Sequence, residues 1–263
     1  MKILSALLIF FAFYSVYGQE NQSLKKTFDL IDEDQKYLKA LALLNDFIQD
    51  DTTNTSAYWQ RGKCLRNIGE YQKAEDDLVK SIQLDANNYR AFAELGTVYA
   101  MTYKIDESMK NYNKSIAINP EYAFSYNGRG AVYYYLLEDY DKAMEDYNKA
   151  LQLDPNYSAA YYNRGVIYRL KRAPKIAIID FTTSLELQPK DHKSYFERAY
   201  TYYLIDEYKL AIIDFTKALK YNNKSNPYYT INNKEIYELR GLCYHEIGKY
   251  RKAEKDLKKA IKE

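Results

Sequence analysis

A chain of 263 residues with 47% hydrophobic content has ample material for a packed core, and a single Trp with 9 Gly suits a helical protein. A formal charge of +2 excludes a strongly electrostatic partner such as DNA. The 31 Tyr are unusual, and their positions have to be explained one by one.

Met1–Gly18 reads differently from everything after it. Lys2 supplies a positive start, Ile3 to Val16 is almost wholly apolar, and Gly18 ends the run before polar Gln19-Glu20-Asn21-Gln22. That is the layout of a secretory signal peptide cleaved after Gly18. A membrane anchor or a buried first helix are the alternatives, but the run is shorter than the roughly 20 apolar residues that span a bilayer. No Cys follows the cut, so a lipid anchor is not indicated. The leader resembles those of the Bacteroidota, with Gly-Gln at the cut. The expected destination is therefore export, to the bacterial periplasm or beyond.

From residue 19 onward the chain repeats itself. Gly62, Gly96, Gly130, Gly165, Ala199 and Gly241 recur at intervals of 34, 34, 35, 34 and 42 residues. A second series, Ala74, Ser108, Ala143, Ala177, Ala211 and Ala253, recurs at 34, 35, 34, 34 and 42. Two markers keeping one beat define copies over 55–88, 89–122, 123–157, 158–191, 192–233 and 234–263. Residues 21–54 form a degraded first copy, in which Tyr37, Ala40, Leu44 and Phe47 keep the pattern while Phe28 stands where a small residue belongs. The sixth copy is longer by an insertion, Asn222–Asn233, rich in turn formers and carrying Tyr228-Tyr229. It is read as a surface loop, with partner contact through the two tyrosines as the alternative. The last copy ends on a lysine-rich helix whose outer charge serves as a solubilising cap.

Within each copy the apolar spacing is helical. Tyr126, Gly130 and Tyr133 share one face of a first helix, and Tyr140, Ala143, Tyr147 and Ala150 share one face of a second. The short joint Leu137-Glu138-Asp139 makes the two antiparallel. Gly130 and Ala143 are small because helix axes about 8–10 Å apart leave no space for a larger side chain. Pro155 stops the second helix and resets the chain. Seventeen Tyr fall at four recurring positions of this pattern and are expected to be packing residues. Arg precedes the small residue in most copies, as Arg61, Arg129, Arg164, Arg198 and Arg240.

This pattern resembles the tetratricopeptide repeat, over nearly the whole chain after residue 18. The resemblance implies an all-α fold, a right-handed superhelix (α-solenoid) of about seven helix–turn–helix hairpins with no sheet. It implies a binding scaffold rather than an enzyme, and it leaves the ligand open.

Catalytic motifs find little support. The two histidines, His192 and His245, lie in different copies without Cys, Asp or Glu at metal-ligand spacing. No phosphate-cradling Gly loop, nucleophile elbow or zincin helix is present. No metal and no cofactor are expected. Cys64 and Cys243 read as small buried hydrophobes.

The resemblance further implies that the first helices line an inner groove. At the groove positions of copies four to six stand Phe124, Tyr134, Tyr135, Tyr162, Phe196, Tyr200 and Tyr203, flanked by Asn127, Asn163, Arg169 and Glu197. One groove design in the family clamps a peptide's terminal carboxylate. Here only Asn163 and Lys193 match it, and Glu197 would repel a carboxylate. Rigid aromatic area with hydroxyl groups is the chemistry of recognition surfaces, although packing between first helices would also place Tyr there. The expected function is an exported, non-enzymatic protein–protein interaction adaptor that binds a protein segment in this groove. The alternative is a glycan-binding or glycan-uptake accessory protein using the rings as sugar platforms.

Overall fold

The computed structural model describes residues 37–222 and 231–262. The expected leader (1–18), the first helix of copy one with Phe28, and Tyr228-Tyr229 lie outside the described residues. Among the described residues there are 13 helices and no strand. They are α1 (Tyr37–Asp50), α2 (Thr55–Asn67), α3 (Tyr71–Leu84), α4 (Tyr89–Met101), α5 (Ile105–Ile118), α6 (Ala123–Tyr135), α7 (Tyr140–Leu153), α8 (Ser158–Leu170), α9 (Pro174–Leu187), α10 (His192–Leu204), α11 (Tyr208–Tyr221), α12 (Asn233–Glu246) and α13 (Tyr250–Ala260). They form two compact units, the first ending at Val132 and the second beginning at Tyr133.

In the first unit α2 packs on α3 and α4 on α5, each pair leaning on its neighbour. The second unit repeats this with α8 on α9, α10 on α11 and α12 on α13. Even-numbered helices also touch the next even-numbered helix, α2 with α4, α8 with α10 and α10 with α12. Helix starts are set by capping side chains. The Oδ1 atoms of Asn54, Asn88 and Asp139 accept N–H bonds from Ala57, Ala91 and Lys142 at 3.0–3.1 Å. The turn inside each hairpin needs one left-handed residue, which is Gly69 and Gly248 at φ 83° and 73° but Tyr103, Glu138, Arg172 and Asp206 elsewhere.

The small residues mark the crossings. A Cβ on Gly62 would meet Leu78 Cγ at 2.7 Å, and one on Gly165 would meet Phe181 Cε1 at 2.8 Å. Tyr112, fully buried, is seated between Gly96 and Gly128 and shares a 2.8 Å hydrogen bond with Thr97 Oγ1. Gly128 stands at an inner-groove position by sequence, yet its smallness serves this tyrosine. The expectation that Tyr140 and Tyr250 pack like the other repeat tyrosines is corrected, since they are 39% and 64% exposed. Each opens a second helix and has an aromatic ring beside it, Tyr134 5.6 Å from Tyr140 and His245 5.3 Å from Tyr250, which covers it only in part.

The recurrent arginine acquires a role. Arg61, Arg164, Arg198 and Arg240 each grip an Asp of their own hairpin (Asp77, Asp180, Asp214 and Asp256) through Nε and Nη2 at 2.7–3.1 Å. Their Nη1 atoms reach back to the previous copy's second helix, to Asn45, Asn148, Thr182 and Thr216 at 2.8–2.9 Å. One guanidinium therefore joins three helices and fixes how successive hairpins stack.

Candidate functional site

In the second unit a cavity of about 520 Å³ opens beside α8 and α10. Tyr162 and Asn163 come from α8, one turn after Ser158 and Ala159, and Lys193, Phe196 and Glu197 come from α10, also within one turn, so each set shares one helix face. Tyr135 at the end of α6 and Ile231 at the far end of the insertion complete the wall. Ser158 and Ser184 lie at the buried end, where Ser184 Oγ bonds Ser158 Oγ at 3.0 Å and Ser194 Oγ at 2.9 Å. Asp191, also on the wall, caps α10 by accepting the Ser194 N–H at 2.9 Å.

The electrostatics follow from crowding. Burial pushes the Glu197 carboxyl up, against the opposing pull of Arg169, whose Nε donates to Oε2 at 2.9 Å. Burial lowers the Lys193 ammonium, with Asp191 acting against it. It raises the Tyr162 phenol well above its ordinary value. Tyr135 is 60% exposed, yet desolvation in the concavity, with the Tyr134 phenol and Glu197 near it, pushes its phenol up to about 12. The cavity thus presents phenols and rings, with Glu197 countered by Arg169 and Asp191 engaged in capping α10.

Of the residues singled out in the sequence, Tyr135, Tyr162, Asn163 and Phe196 are brought together on this cavity. Tyr134 meets Tyr135 edge-on at 4.5 Å and also packs on the core beside Tyr147 and Phe181. Tyr162 has the same double character, its ring 6.2 Å from Phe181. Phe196, Tyr200 and Tyr203 form a ring ladder along α10, with centroids 6.4 and 6.2 Å apart. Arg169 lies over Tyr200 at 5.2 Å while holding Glu197. The same pair occurs in the first unit as Arg66 and Glu94, also 28 residues apart and 2.9 Å between atoms. Arg169 is therefore a stacking device between neighbouring first helices, rather than a charge facing outward. Phe124 and Asn127 belong to the first unit, where Phe124 tilts against Tyr122 at 5.8 Å.

Sequence reasoning missed Asp191, Gln188 and Ile231 on the wall. Asp191 carried a signal, since Asp directly before a helical run is a capping residue. Ile231 carried none, because only the closed base of the insertion brings it there. Asn222 closes that base, bonding both the N–H and the C=O of Ile231 at 3.2 and 2.7 Å.

Other chemistry is sparse. Among the described residues no group of three His, Cys, Asp or Glu side chains is placed to hold a metal ion, and no helix is long and apolar enough to cross a membrane. Cys64 and Cys243 are buried, which pushes both thiols up to about 12 and leaves them unreactive.

Family comparison agrees with this architecture. The tetratricopeptide repeat model matches residues 55–88, 158–191, 192–225 and 234–263, just over half of the chain, and a second model, TPR repeat, matches 134–171. The chain belongs to the tetratricopeptide repeat family. It is 30% identical over 94 residues to human Protein O-mannosyl-transferase TMTC3, matching 35% of this chain and 10% of that protein. It is 28% identical over 99 residues to Anaphase-promoting complex subunit 3 of Schizosaccharomyces pombe, matching 38% of this chain and 15% of that one. Its fold is similar to that of Pseudomonas aeruginosa pilF, with a TM-score of 0.68, 21% identity, and coverage of 79% and 90% of the two chains. The chain thus spans only a small part of the curated relatives it matches, and the likeness to pilF is one of fold.

Proposed function

We propose that this protein is an exported, non-enzymatic adaptor that binds an extended protein segment in the aromatic cavity beside α8 and α10. The observation that carries the reading is the cavity itself. Its size, about 520 Å³, lies in the range of ligand sites, and its wall combines Tyr135, Tyr162 and Phe196 with Asn163 and Lys193. Rigid rings with a few polar groups suit a peptide side chain entering between amide and hydroxyl partners. Membership of a repeat family supports a scaffold role, as does similarity to a protein named as a subunit of a multiprotein complex. Export rests on the composition of Met1–Gly18 alone.

Tyr135 provides the test, because its exposed ring contributes little to folding. Tyr135→Ala should leave thermal melting within about 0.5 kcal/mol of wild type. Binding of peptides selected from a random library should fall about thirtyfold or more, the loss of a hot-spot ring worth about 2 kcal/mol. A glycan array run in parallel separates the sugar-binding alternative. Peptide affinity unchanged by Tyr135→Ala, or glycan binding lost in its place, would defeat the peptide reading.

A further inference from the structure

The outward face of two second helices, α9 and α11, departs from the rest of the array. The residue just before the recurring small residue of the second helix, and the residue two after it, are both exposed in every copy from the second onward. In copies two, three, four and seven these are charged: Lys73 and Asp76, Glu107 and Lys110, Lys142 and Glu145, Lys252 and Lys255. In copies five and six they are Ile176 and Ile179 on α9, and Leu210 and Ile213 on α11. Ile179 and Ile213 are 63% and 52% exposed, so packing does not account for them. Charge on the other copies shows that the repeat frame itself does not require apolar residues there.

These helices are consecutive on one side of the second unit. Arg198 ties Thr182 of α9 to Asp214 of α11, and Arg240 ties Thr216 of α11 to Asp256 of α13. Beside the aliphatic stripe stand exposed Lys209, Lys217 and Lys220 on α11, then Lys252, Lys255 and Lys259 on α13. The surface is thus aliphatic at one edge and strongly cationic at the other.

We propose that this face docks on an anionic lipid surface, with Ile176, Ile179, Leu210 and Ile213 entering the headgroup boundary and the lysines meeting its negative potential. Charge argues against a second copy of the chain, since pairing two such faces would oppose lysine to lysine. The choice of side chains argues against an acidic protein partner. Protein hot spots draw on Tyr, Trp and Arg. This chain has 31 Tyr, yet its stripe is wholly aliphatic and the cations beside it are lysines apart from Arg251 on α13. Lysine is a strongly hydrated point charge suited to a diffuse potential, whereas Arg is the residue for bidentate pairing with carboxylates.

Flotation of the full chain with unilamellar vesicles tests this. Vesicles of phosphatidylcholine alone are compared with vesicles containing about one third phosphatidylglycerol, at low and at 0.5 M salt. The expected result is binding to the anionic vesicles only, lost at high salt. Lys252→Glu with Lys255→Glu should lower partitioning at least tenfold. Ile179→Ser with Ile213→Ser should lower it by about the same factor, and circular dichroism should show both variants folded. Equal binding to neutral vesicles, or binding untouched by both variants, would assign association to the apolar Met1–Gly18 and overturn the proposal. Failure of the folded wild type to bind anionic vesicles would also overturn it, in favour of an acidic protein partner.

Discussion

Arg198 is the place to test how successive hairpins are held together. Its Nε and Nη2 bond Asp214 at 2.7 and 3.1 Å, and its Nη1 bonds Thr182 at 2.9 Å. Hydrogen bonds to charged groups contribute about 1.5–3 kcal/mol each, but desolvating the guanidinium offsets much of that sum. The larger effect of Arg198→Ala lies in what it leaves behind. Asp214 has a side chain only 3% exposed and would remain in the core without its counter-charge. Removing one partner of such a pair costs about 3–5 kcal/mol. Arg198→Lys keeps a charge but not the fork, so it should fall between that variant and wild type. Arg198→Met combined with Asp214→Leu removes both charges, and should recover most of the loss. Urea unfolding gives the magnitudes, and amide exchange along α9, α10 and α11 locates the weakening, because repeat arrays need not unfold in one step. A loss below about 1 kcal/mol for Arg198→Ala would refute the staple. So would a double variant less stable than either single one.

Two further perturbations probe the packing. Gly165→Leu drives a side chain into Phe181, whose ring an added Cβ would already meet at 2.8 Å, and should destabilise by about 1–3 kcal/mol or more in thermal melts. Burial raises the Tyr112 phenol above its ordinary value, so the folded chain holds that proton where the unfolded chain releases it. Stability from this group is complete below about pH 10 and falls as pH rises beyond it, by up to about 1.4 kcal/mol per pH unit. Tyr112→Phe should flatten that part of the alkaline melting curve, at the cost of the Thr97 bond, and an unchanged slope would contradict the buried placement.

The hairpins were legible in the residues because a helix crossing imposes a local rule. Gly165 must be small wherever Phe181 lies across from it, and that requirement returns at nearly every period. Ser115 is fully buried with its hydroxyl on the Tyr89 carbonyl. The arginine was visible as a recurrence without a role. Its partners lie 16 residues after it and 16 before it (24 before for Arg240), on two different helices, and no single-helix periodicity joins them.

Tertiary structure alone decided the site. Tyr134, Tyr162 and Tyr200 are equivalent to Tyr135 as letters at groove positions. Packing divides them, giving Tyr134 and Tyr162 a share in the core, Tyr200 a place under Arg169, and Tyr135 an exposed ring. Gly128 is the seat of Tyr112, and Arg169, which flanks the groove positions in the sequence, is paired with Glu197. The physical reason is the same in each case. A repeat period specifies contacts within one hairpin, whereas the fate of a groove side chain depends on what the neighbouring hairpin sets against it.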